Sequence, residues 1–145
     1  MLGAWVGSWV GAQGAFLEVT NGDDNTLYNI PLSDTPTWIM RWNHSVTGVT
    51  VSDYYYWNGK EMLLTDSHTP AFDAGLGHIP GRGTLSSDGD QGYWITSIDE
   101  PVPGKTYLLR VGSRAVGHHI VHNGVIYSLS EVAANERVRI EVVLR

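Results

Sequence analysis

From Phe16 to Leu144 apolar and polar residues alternate again and again with a period of two, and this period limits the possible folds more than any other feature. Side chains two apart share one face of a strand, whereas a helix gathers residues three and four apart. The clearest run is Arg137–Leu144, where Val138, Ile140, Val142 and Leu144 interleave with Arg137, Arg139 and Glu141. Similar runs predict strands at Phe16–Thr20, Leu27–Ile30, Thr37–Val46, Val49–Trp57 and Lys60–Asp66. Others fall at Tyr93–Ile98, Thr106–Val111, His118–His122 and Val125–Ser130. No stretch reads as a long amphipathic helix, and Ser130–Asn135 suits a single helical turn. The expected fold is all-β, an antiparallel β-sandwich or flattened barrel of about eight to ten short strands.

A chain of 145 residues fits one domain, assigned to residues 15–145. Residues 1–14 form an apolar, glycine-rich arm without a charge. Gly3, Gly7 and Gly11 have the spacing that lets membrane helices approach closely, but the stretch is shorter than the ~20 apolar residues of a spanning helix. Two readings stand: chance spacing in an arm or first strand, or the remnant of a signal or anchor that begins upstream. The net charge of −6, without a basic cluster, argues against nucleic acid or an anionic membrane surface as the main partner. Having no cysteine, the chain forms no disulfide and offers no thiolate metal ligand or cysteine nucleophile.

Asn58-Gly59 and Asn123-Gly124 lie between alternating runs, as type I′ hairpin turns do, and Thr47-Gly48 is a weaker third. Two-residue loops at Thr47-Gly48 and Asn58-Gly59 set a register for the meander they join. Trp38, Met40, Trp42, Val51, Tyr55, Trp57, Met62 and Leu64 then share a core face. His44 and Asp53 enter the same face as diagonal neighbours. Arg41, Asn43, Ser45, Ser52, Tyr54 and Tyr56 occupy a polar, aromatic outer face. Between Ser67 and Gln91 glycines gather and alternation fades, which predicts a long loop.

Few residues invite a chemical reading. A carboxylate beside an imidazole fixes its tautomer, as a base or metal ligand needs, yet a buried structural pair does the same. The structural reading of His44 and Asp53 is preferred. His118 and His122 share a strand face about 13 Å apart, too far to chelate one metal, and His119 takes the other face. Ser45 points away from His44 on a strand, so the two form no dyad there. Asp73–Gly81, with Gly75, Gly77 and Pro80, is glycine-rich but lacks the Lys-Ser/Thr pair and helix of a nucleotide loop. No GxSxG or HExxH occurs. No catalytic residue, metal site or cofactor is therefore assigned. The alternative is a small enzyme or a ligand- or metal-binding module built on His44, Asp53, Arg110 and His118.

Trp42-Asn43-His44-Ser45-Val46, then Asp53 before Tyr54–Trp57, then Asp73–Pro80, Leu109-Arg110-Val111-Gly112, His118-His119-Ile120 and a closing strand occur in that order. In this order they resemble the prokaryotic domain of unknown function labelled eighteen-fifty. The resemblance covers nearly the whole chain beyond Ala15. Thr47 and Asp53 stand where that pattern often has glutamate, and its glycine loop is lengthened here. The resemblance implies a small extracytoplasmic protein encoded beside TAXI-type TRAP transporters, in some cases anchored to the membrane through an upstream segment. It implies a non-enzymatic accessory role, with the transporter's membrane subunits or substrate-binding protein, or a small anionic solute, as partner. His44, Ser45, Asp53, Gly75, Gly77, Pro80, Arg110 and His118 form the expected binding or structural polar cluster.

Overall fold

The alternating runs pair into two antiparallel sheets. The computed structural model describes residues 14–70, 83–87 and 92–145. Strand accounts for 57% of the described residues and helix for 6%, and neither sheet closes on itself, so the molecule is an all-β sandwich rather than a barrel. The strands among the described residues are β1 (Ala15–Thr20), β2 (Thr26–Pro31), β3 (Thr37–Asn43), β4 (Thr50–Trp57), β5 (Met62–Thr69) and β6 (Thr84–Ser87). They continue with β7 (Tyr93–Thr96), β8 (Glu100–Pro101), β9 (Thr106–Arg110), β10 (His119–His122), β11 (Val125–Ser128) and β12 (Arg137–Leu144). One helical turn, α1 (Ser130–Ala133), falls within the predicted segment. The smaller sheet has the order β2-β1-β12-β9. The larger runs β11-β10-β3-β4-β5-β7-β6, with β8 added beside β5. The N-terminal arm before Gly14 and the loop bearing Gly75, Gly77 and Pro80 lie outside the described residues.

Alternation decides what enters the space between the sheets. Leu17 and Val19 of β1 and Val138, Ile140 and Val142 of β12 meet Trp38, Met40, Met62 and Ile120 of the larger sheet. Trp38 stacks on Tyr55 and Tyr55 on Tyr107, at centroid distances of 5.6 and 5.5 Å, so three near-parallel rings tie β3 and β4 to β9. Burial pushes the Tyr107 phenol well above its ordinary pKa, and Tyr55 adds to the shift.

The predicted core face is correct, although two of the three expected turns are not. Asn123 and Gly124 have positive φ (50° and 77°) and close the two-residue loop between His122 and Val125, as I′ geometry requires. At Asn58 the side chain intervenes. Its Oδ1 accepts the N–H groups of Lys60 and Glu61, which makes a four-residue loop and opposes Trp57 to Met62. At the third turn Asn43 opposes Thr50, so the loop spans residues 44–49 instead of Thr47-Gly48 alone. Each register moves by two residues. A shift of two keeps every side chain on its face, where a shift of one would invert the strand. After the bulge opposite Tyr54 and Tyr55, Asp66 pairs with Tyr54, and Ser67 and Thr69 point inward in place of a further apolar pair. Two short strands, β6 and β8, were not foreseen. β5 also continues through Thr69 and β6 begins at Thr84, so strand occupies part of the predicted loop.

Candidate functional site

The β3–β4 loop begins at His44. Its N–H donates to the Val49 carbonyl (2.8 Å), and its carbonyl accepts from Gly48 (2.8 Å). Its ring Nδ1 accepts from the N–H groups of Val46 and Thr47 (3.3 and 3.4 Å). A backbone N–H can only donate, so Nδ1 is the acceptor and the neutral ring carries its proton on Nε2. This use of His44 as a turn cap takes it out of the ladder.

The expected His44–Asp53 pair is therefore corrected. Asp53 faces Met40 on β3, four residues from His44, or about 13 Å along a strand. Asp53 is buried and accepts a 2.7 Å hydrogen bond from Ser67 Oγ on β5. Ser45 also leaves the strand and lies exposed in the loop.

His118 stands at the start of β10 inside a closed ring of hydrogen bonds. Gly112 N–H donates to its Nδ1 (2.9 Å), Ser130 Oγ donates to the Gly112 carbonyl (3.0 Å), and His118 N–H donates to Ser130 Oγ (2.9 Å). Ser130 reaches this position because α1 starts there and Leu129 N–H donates to the His118 carbonyl (2.8 Å). The ring lies 5.6 Å from Trp42 in a stacked arrangement. Burial lowers the His118 pKa, and neighbouring His119 lowers it further. His118 is thus held neutral as the Nε2–H tautomer.

These two histidines meet in one cleft. A cavity of about 350 Å³ is lined by Trp42 and Asn43 at the end of β3, by His44 and Ser45 of the β3–β4 loop, and by Arg110, Val111, Gly112, Val116, His118 and Asn135. An adjoining cavity of about 280 Å³ shares Asn43, His44, Ser45 and Val116 and adds Ser113 and Ala115. Asn43 fixes the mouth. Its N–H donates to the Val116 carbonyl (2.7 Å) and its Nδ2 to Ala115 (3.3 Å), which ties the end of β3 to the β9–β10 loop. Of the expected cluster, His44, Ser45, Arg110 and His118 come together and Asp53 does not. Among the described residues no aspartate or glutamate lines either cavity, and no three histidine or acidic side chains gather closely enough to hold a metal ion.

Sequence reasoning missed Asn43, Gly112, Ser130 and Asn135. Asn43 and Gly112 stand within the motifs of the family resemblance, and Ser130 had a signal of its own, since serine at the start of a helical turn marks a place where its hydroxyl serves the backbone. Residues 39–129 match the family described as Domain of unknown function (DUF1850). The chain belongs to this family. The match runs from within β3 to just past β11 and includes every cleft residue except Asn135. No curated protein and no solved structure matches the chain.

Proposed function

We propose that this DUF1850 protein is a non-enzymatic binding module that takes a small anionic solute in the cleft of His44, Ser45, Arg110 and His118. The observation that carries this reading is electrostatic. The chain has a net charge of −6, yet among the described residues the two cavities are lined by an arginine, two asparagines, two serines and two histidines with no aspartate or glutamate. Both imidazoles offer Nε2–H, a donor suited to an anion. For the same reason neither presents a free lone pair for a metal or for base catalysis, and Asp53 stands too far off to reorient them. The cleft lies at the small end of ligand-pocket volumes, which favours a compact solute.

The family resemblance supports the setting, that of an extracytoplasmic accessory of a TAXI-type TRAP transporter acting with its substrate-binding protein or membrane subunits. Calorimetric titration of the purified chain with short organic acids tests the binding step. Saturable binding weakened by Arg110→Gln is expected, and heats no larger than dilution for every acid contradict it. Co-purification with the transporter tests the setting separately.

A further inference from the structure

Ser130 opens α1, is 2% exposed and lies outside the cavity lining. A hydroxyl both donates and accepts, so this one side chain joins the Gly112 carbonyl to the His118 N–H. The bond from Gly112 N–H to His118 Nδ1 closes the ring. The backbone of α1 adds to it, since Leu129 and Ser130 N–H both donate to the His118 carbonyl (2.8 and 3.1 Å). Gly112 tethers the β9–β10 loop: a Cβ there would lie 2.6 Å from Val116, so glycine is what lets the loop fold back on itself. The far edge of the imidazole opens on the cleft. Among the described residues the buried polar side-chain atoms without a partner are Thr20 Oγ1, Trp38 Nε1 and Tyr107 OH. His118 Nε2 makes no hydrogen bond to a described residue and is not one of these, so it still meets solvent. With His118 only 9% exposed, that solvent is the cavity it lines.

We propose that Ser130 is a positioning residue of the cleft, acting through Gly112 and His118 to hold a neutral imidazole with its Nε2–H toward the bound anion. This rests on the anion-binding reading above and deepens it, because the ligand then meets an uncharged donor. A proton added to His118 goes to Nδ1, where it faces the Gly112 N–H across 2.9 Å. The ring of bonds must open for the imidazolium to form, and the loop that carries Ser113, Ala115 and Val116 then loses its tether. Anion binding therefore weakens as His118 becomes charged, the reverse of a site that uses an imidazolium. The titratable and charged groups around His118 are His119 beside it, His44 and Arg110 among the cavity residues, and the Arg114–Glu131 pair between the β9–β10 loop and α1. Glu136, whose carbonyl accepts from Val111 N–H, completes the set. Both glutamates are exposed.

The test is a nitrogen-resonance titration of the isotope-labelled full chain from about pH 8 to about pH 5, the range in which histidine titrates. Binding of sulfate, whose charge is constant over this range, is measured at both ends, and the series is repeated on Ser130→Ala. The His118 ring nitrogens should report the Nε2–H form at the upper end, and the Gly112 amide should shift in step with His118 as it titrates. Sulfate should bind more weakly at the lower end. In Ser130→Ala the other tautomer should appear, His118 should titrate at higher pH, and sulfate should bind about tenfold more weakly at the upper end, the scale of an orienting partner. A variant with a lower thermal midpoint but unchanged tautomer, titration and affinity makes Ser130 structural only and sinks the proposal. If Ser130→Ala does not fold, the wild-type titration decides, and a Gly112 amide indifferent to His118 protonation overturns it. So does tighter sulfate binding at the lower end. A Gly112 amide that follows a locked His118, in a chain that binds neither sulfate nor glutarate at the upper end, sinks the anion reading and leaves the positioning of His118 standing.

Discussion

His118 shows how one residue's surroundings set its chemistry. Its Nδ1 is committed to Gly112 N–H, its ring to Trp42, and its backbone N–H to Ser130. Burial and His119 both disfavour the imidazolium, so the folded pKa lies below the unfolded one. A depressed folded pKa contributes stability that is fully present above the unfolded value of about 6.5 and is lost as pH falls through the folded value. The denaturant midpoint is therefore expected to fall between neutral and mildly acidic pH. His118→Asn keeps an acceptor oxygen near the Nδ1 position and removes the titrating ring. Its stability should be lower at pH 7, because the stacking on Trp42 is lost, and its dependence on pH should be flatter. Parallel profiles for wild type and variant would show that His118 does not carry the effect.

Local hydrogen-bond competition decided the elements more than hydrophobic pattern did. At β3–β4 and β4–β5 the alternating runs named the correct faces. The turns still moved, because His44 and Asn58 side chains satisfy loop N–H groups in ways a two-residue hairpin does not permit. This is why the core was legible and the His44–Asp53 contact was not. A face depends only on odd or even position, whereas a contact depends on the absolute register. The cleft was half legible for a related reason. His44, Ser45, Arg110 and His118 stand out as polar residues at strand ends. Gly112, by contrast, acts through its backbone N–H and carbonyl and Ser130 through a hydroxyl that bonds only backbone, groups brought together by α1 and the β9–β10 loop. The register has a direct test in a double-mutant cycle. Asp53→Ala removes the acceptor for Ser67 and should cost about 1.5–3 kcal/mol. His44→Ala should cost less, because its Nδ1 contacts are long and lie in an exposed loop. In urea denaturation the two effects should add within roughly 0.5 kcal/mol, as for residues that do not touch. A coupling above about 1 kcal/mol would mean that they meet.

Over the whole molecule, two sheets with a shared core leave one edge where β3, β9 and the loop before β10 converge, and the cleft without an aspartate or glutamate among its described lining residues lies there. β1 and β12 pair along their length, Arg145 binds Glu18 at their end, and the ring stack through Tyr55 joins the layers. The scaffold is thus rigid behind a polar mouth built from loops, an arrangement in which the loops carry recognition. The family match ends at residue 129, before β12 and Arg137. The central claim is that this edge binds an anion. The most direct measurement is an amide-resonance titration of the isotope-labelled chain with glutarate. Saturable shifts confined to residues 42–47, 110–118 and 135–137 are what the account predicts. Saturable shifts centred elsewhere on the molecule, or none at concentrations well above those of cellular organic acids, would contradict it.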